Sequence, residues 1–174
     1  MNKTINIDVF SPSSIRAALR ELRQYQDRLE RKAEELRRRV AELIRIDAQA
    51  VFDYSVADDR MDEGIIIGGV DVEVQTNGDV TLVIASGKDV VFMEFGAGVF
   101  YNGSVGSSPH PLGAGLGYTI GSYGNGNGAK EVWGWRDDDG FHLSHGAPAS
   151  MPLYKAVMNA RNDLEQIARE VFST

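Results

Sequence analysis

The sequence predicts an α+β protein: an antiparallel β-sheet with a long N-terminal helix and a C-terminal helix packed on one face, plus a long glycine-rich loop. Three observations carry this. Ile15, Leu22, Leu29, Leu36 and Leu43 recur every seven residues, in a stretch from Ser13 to Glu63 that holds neither glycine nor proline. Val70, Val72 and Val74 alternate with Asp71, Glu73 and Gln75 and lead into Asn77-Gly78, a strong hairpin signal. Leu153, Ala156, Val157, Ala160, Leu164, Ile167, Ala168 and Val171 trace one helical face near the C-terminus.

The 174 residues are 43% hydrophobic and 25% charged, an ordinary globular balance that suits a single domain over 1–174. The absence of cysteine excludes disulfides, thiolate metal ligands and cysteine nucleophiles, and suits a reducing compartment. No apolar run approaches the ~20 residues that span a bilayer. Met1 to Ile5 lacks the basic-then-apolar pattern of a signal peptide. A formal net charge of −7 argues against general nucleic-acid affinity, which needs clustered Lys and Arg. The charge is uneven: residues 1–54 carry 11 Lys+Arg against 9 Asp+Glu, and residues 55–174 carry 7 against 16. Of 19 glycines, 11 lie between Gly96 and Gly128, and none precedes Gly64.

In chain order, 1–54 read as a strand and a long helix. Ile5 to Phe10 alternate apolar and polar as a short strand. Ser11-Pro12 supplies an N-cap and a first-turn proline. The helix then runs from about Pro12 to about Val51. Leu19, Ala33 and Val40 fill a second apolar position, which Gln26 interrupts. Asp27–Arg31, Glu34–Arg38 and Glu35–Arg39 add acid-first pairs at the favourable spacing. Such a helix is about 60 Å long, whereas a compact body of this chain length is roughly 40 Å across. Part of it is therefore expected to meet a neighbouring subunit along its heptad seam.

Residues 65–95 read as a three-stranded β-meander, with strands before and after Asn77-Gly78 and a third, apolar strand from Val90 to Phe95. Residues 96–130 read as a glycine-rich loop, without Asp, Glu, Lys or Arg as far as Ala129. So long an uncharged segment is expected to order against a partner, because Phe100, Tyr101, Tyr118 and Tyr123 call for burial. Residues 131–145 read as a second hairpin with Asp137-Asp138-Asp139-Gly140 at its tip, and 151–172 as the C-terminal helix.

Chemistry-bearing patterns are sparse. His142-x-x-His145 beside the three aspartates is the one cluster with metal-ligand residue types, and it reads more simply as a solvated turn. It supports a minor alternative, a metal-dependent hydrolase using His142 and His145. None of the glycines forms a phosphate-binding loop, and no Gly-x-Ser-x-Gly elbow is present. Glu94 stands alone in an apolar run, where an acid is more often paired or exposed than catalytic. Trp133 and Trp135 share a strand face, the pattern of core or interface. No catalytic, cofactor-binding or metal-binding residue is assigned.

Val91-Phe92-Met93-Glu94-Phe95-Gly96-Ala97-Gly98 resembles the strand end of phage neck and tail-completion proteins, the small head–tail joining proteins of tailed phages and prophages. The Arg- and Glu-dense first helix, the Gly/aromatic loop leading into a Trp-containing strand and Gly140-Phe141-His142, and the Met151-Pro152 to Ala156 helix start are similar to that family too. The resemblance spans roughly residues 10–172 in element order. It implies a non-enzymatic virion protein forming a ring at the head–tail interface, made in the bacterial host cytoplasm. Head connector or adaptor proteins and the tail tube or tail terminator would be its partners. DNA would pass through the lumen without sequence-specific binding, and no membrane is involved. Glu94, Phe95, Gly96, Gly98, Met151 and Pro152 are the matched positions, with structural roles. Leu22, Leu29, Leu36, Phe100, Tyr101, Tyr118 and Tyr123 are the expected interface residues. The rival class is a non-viral oligomeric adaptor that uses the same helix seam as a coiled coil.

Overall fold

A computed structural model of the chain describes residues 4–56, 69–87, 89–96, 100–101, 104–105, 108–117, 133–138, 140–144 and 149–173. At 55–56, 100–101, 104–105, 133–135, 137 and 142–144 only the backbone is described. The fold is α+β, with a long N-terminal helix, a C-terminal helix and antiparallel strand pairs. The chain forms two compact units, one of Met1–Val40 with Leu164–Thr174, the other of Ala41–Asp163.

Helix α1 runs from Pro12 to Val56, 45 residues, five beyond the expected end. Its start follows the Ser11-Pro12 signal. Ser11 Oγ accepts from the Ser14 amide at 3.4 Å, the Ile15 amide donates to Ser11 O, and Ser14 Oγ accepts from the Asp8 amide at 2.9 Å. Residues 5–10 form no strand, contrary to expectation. Asp8 instead turns back on itself, its carboxylate accepting from the Phe10 amide and its carbonyl from the Ser11 amide. That local turn competes with extended pairing.

In the first unit, α1 meets the last turns of α3 (Pro152–Ser173). Lys32 Nζ donates to Val171 O at 2.7 Å, satisfying one of the carbonyls a helix end leaves open. Arg39 lies 3.7 Å from Glu170. Arg28, Arg31, Lys32, Glu35, Arg39 and Val171 line an open cleft of about 340 Å³. Arg39 and Arg38 donate to the Glu35 carboxyl and hold it below its ordinary range.

The second unit is built on a hairpin. Strands β1 (Asp71–Asn77) and β2 (Val80–Ser86) pair antiparallel from Asp71↔Ser86 to Asn77↔Val80. The two-residue loop is Gly78-Asp79, one residue later than an Asn-Gly loop. Gly78 takes a φ of 58° while Asp79 does not go positive, so the glycine is needed first in the turn. One face of the hairpin is inside. Val72 belongs to a core with Ala48 and Phe52 of α1, Val70, Met93 and Ala156, and Val83 and Ala85 pack against it. Gln49 of α1 extends this contact by acting as a backbone substitute at the strand edge. Its amide donates to Val70 O at 2.8 Å and its carbonyl accepts from the Val72 amide at 2.9 Å.

The expected third strand is a helix instead. Residues Val90–Phe95 form the short helix α2. In a strand, Val90, Phe92 and Glu94 would share one face. The helix turns Met93 and Glu94 inward and lets Val90 join the core, leaving Val91 and Phe92 exposed. Six residues of mixed apolar type do not set their own period, so packing decides. The meander therefore has two strands.

Within 96–130, β3 (Phe100–Tyr101) and β4 (Ser104–Val105) form a two-residue ladder, and 110–117 make successive turns. Further on, β5 (Trp133–Asp137) and β6 (Gly140–Ser144) form the second hairpin, with Trp133 opposite Ser144 and Asp137 opposite Gly140. Among the described residues, no helix is long and apolar enough to cross a membrane.

Candidate functional site

Two surfaces qualify: a buried polar anchor in the second unit and an exposed apolar stripe on α1.

The anchor joins the two motif-like segments of the sequence. Helix α2 ends at Gly96, whose φ of 79° suits glycine and whose amide donates to Phe92 O at 2.7 Å. This geometry aims Glu94 at the start of α3, 59 residues further along the chain. Its Oε2 accepts from the Leu153 amide at 2.8 Å and its Oε1 from the Tyr154 amide at 2.9 Å. A carboxylate at a helix N-terminus satisfies orphan donors and meets the positive end of the dipole. One residue earlier, Met93 O accepts from the Ser150 amide at 2.9 Å, the Ser150 hydroxyl at 3.1 Å and the Met151 amide at 3.2 Å. Pro152 takes the first helical position, where no amide is required, and its ring is fully buried. Met151 just before it has a φ of 53°, an unusual conformation for a side-chain-bearing residue. The clasp from Met93 holds it there.

His110 completes the anchor. It is 5% exposed, as is Glu94, and its Nε2 lies 3.1 Å from Glu94 Oε1. Its Nδ1 accepts from the Leu112 amide at 3.0 Å, so in the neutral ring the proton sits on Nε2 and is donated to the carboxylate. Phe95 and Tyr154 flank the imidazole, with ring centroids 4.5 and 5.0 Å away. Ser108 ties in the same turn: its hydroxyl donates to Phe95 O and accepts from the His110 amide. Both oxygens of Glu94 thus accept from structural donors, which makes it a positioning group for the start of α3.

Gly113 shows how tightly the turn is packed. A Cβ there would stand 2.7 Å from Ser108 Cβ and 3.0 Å from His110 O. Gly113→Ala is therefore expected to cost about 2 kcal/mol, with the strain falling on the His110 turn. Chemical denaturation compared with Gly115→Ala checks this, because Gly115 has its nearest neighbour at an ordinary 3.7 Å. Equal effects of the two substitutions would contradict the packing.

The stripe lies on the N-terminal half of α1. Ile15, Leu19, Leu22 and Leu29 are 39%, 48%, 49% and 40% exposed, and Leu36 is half-buried. Arg16, Arg20 and Arg23 follow one side of it, all exposed.

Several expected site residues lie outside the description. Gly98, Tyr118, Tyr123 and His145 are outside the described residues, as are the side chains of Phe100, Tyr101 and His142. Among the described residues, no group of three His, Asp or Glu side chains is placed to hold a metal. The structure brings Glu94, Phe95 and Gly96 together with Met151 and Pro152. It adds His110 and Ser108, which belong to the stretch expected as a glycine-rich loop. A lone histidine between prolines in an uncharged loop, and a lone acid in an apolar run, were the available signal. Each polar group lacked a local partner, and each is the other's.

No protein family, no curated protein and no solved structure matches this chain.

Proposed function

We propose that this chain is a virion structural protein of a tailed phage or prophage, one subunit of an oligomeric ring at the head–tail junction. The exposed apolar stripe on α1 carries the reading, because four large apolar side chains in helical register need a covering surface. The anchor supports it. The two segments that resemble neck and tail-completion proteins meet in one hydrogen-bonded joint, although the first is a helix end here and the resemblance is to a strand end. In this reading the protein is not an enzyme. It contacts the head connector or adaptor on one side and the tail tube or terminator on the other, while DNA passes through the lumen.

The test is to image particles made without the protein. Filled heads beside detached tails are expected. Abnormally long tails would assign it to length termination within the same junction. Normal, infectious virions would overturn the proposal. The same exposed stripe also favours the second reading, a non-viral oligomeric adaptor. An encoding locus without portal, capsid and tail genes would favour that reading.

A further inference from the structure

The outer face of the β1–β2 hairpin has the opposite charge from α1 and a matching apolar row. Residues opposite each other in an antiparallel pair share a face. The face away from the core therefore holds Asp71, Glu73, Gln75 and Asn77 on β1 beside Ser86, Ile84, Leu82 and Val80 on β2. Val80 and Leu82 are 56% and 50% exposed. Asp71 and Glu73 are exposed opposite Ser86 and Ile84, toward the other end of that face. The hairpin thus shows an apolar row with carboxylates at its Ile84 end, and α1 shows an apolar stripe edged by arginines.

We propose that the N-terminal half of α1 of one copy lies across the outer face of the β1–β2 hairpin of a second copy. This rests on the ring reading and names the contact that propagates the ring. Complementary charge selects the occupant. Residues 12–40 carry 9 Lys+Arg against 5 Asp+Glu, while the remainder of the chain is strongly acidic. Parallel stripe-to-stripe pairing of two α1 helices offers Arg16 and Arg23 no carboxylate, since Ala18 and Tyr25 occupy the opposite edge of the stripe, and an antiparallel pairing offers Glu30 alone at heptad spacing on their own edge. The hairpin offers Asp71 and Glu73. The spans agree: Ile15 to Leu22 covers about 10 Å of helix, and Val80 to Ile84 about 13 Å of strand. The two patches differ and sit on different units, so the contact is heterologous, the kind that closes into rings.

The natural chain has no cysteine, which makes a clean crosslinking test. Leu22→Cys and Leu82→Cys are made separately, one with an isotopic label, then mixed and oxidised. The expected product is a disulfide dimer of mixed label, in excess of what either variant forms alone. A Leu22→Cys preparation that crosslinks to itself as readily would overturn the proposal in favour of stripe-to-stripe pairing. In parallel, Arg23→Glu is expected to weaken self-association about tenfold by sedimentation. Adding Glu73→Arg to the same chain should restore it, with circular dichroism confirming folded helix in each. Oligomers indifferent to both changes would overturn this contact while leaving the ring intact. A chain monomeric at every concentration would remove both.

Discussion

Glu94→Ala is expected to lower the unfolding free energy by about 3 kcal/mol. The change leaves the Leu153 and Tyr154 amides and the His110 Nε2–H without their acceptor in a buried site. A buried hydrogen-bonding group left without its partner costs about 1–3 kcal/mol, and loss of a helix N-cap alone costs about 1 kcal/mol. Glu94→Gln keeps the shape but turns an amide donor toward donors, so it should recover only part of the loss. Urea denaturation gives the magnitude. Hydrogen exchange gives the location: protection of the Leu153 and Tyr154 amides should fall before that of the α3 interior. Unchanged protection at those two amides would show that the carboxylate is not their partner. His110→Ala should be milder, since two of the carboxylate's three donors remain.

The second large effect belongs to Phe52→Ala, at about 4 kcal/mol. Phe52 is fully buried in a core drawn from α1, β1, α2 and α3. Its truncation opens a cavity where four elements meet, and Gln49 beside it can follow only by giving up its bonds to Val70 and Val72. Against a typical domain stability of about 5–15 kcal/mol, this approaches the unfolding threshold. Phe10→Ala is the matched control: Phe10 is 93% exposed, and its loss should stay within about 0.5 kcal/mol. Similar denaturation midpoints for the two variants would contradict the assigned core.

Much of the fold could be read from sequence because its strongest signals are local. The heptad of α1, the Ser11-Pro12 start, the β1–β2 hairpin and the Pro152 helix start each arise from residues within a turn or two of one another. The helix at Val90–Phe95 was hidden for the opposite reason. Its six residues suit either period, and its direction is set by Met93 and Glu94 reaching for a segment far along the chain. The anchor was half visible. Glu94 and Met151-Pro152 stood out as separate segments, but nothing in a linear sequence states that a carboxylate at 94 will cap a helix beginning at 152. His110 stands in Ser108-Pro109-His110-Pro111, where no neighbour in sequence marks it as the partner of an acid at 94. A non-local polar pair is set by packing geometry, which periodicity does not encode.

The clasp between Met93 and Ser150 has a further consequence. It joins residues 57 apart in sequence, so the two ends of the segment between them are held at one place. Ser108 and His110 hold a third point of the same segment near Phe95 and Glu94. When the ends of a loop are held, doubling its length costs only about 0.6 kcal/mol in closure entropy. A change in the length of the segment between His110 and Ser150 is therefore expected to cost the joint that carries α3 little in closure entropy. The joint is thus defined by a few residues that meet from distant parts of the chain: Met93, Glu94, Ser108, His110 and Ser150 fix where α3 begins, whatever the length of sequence between them.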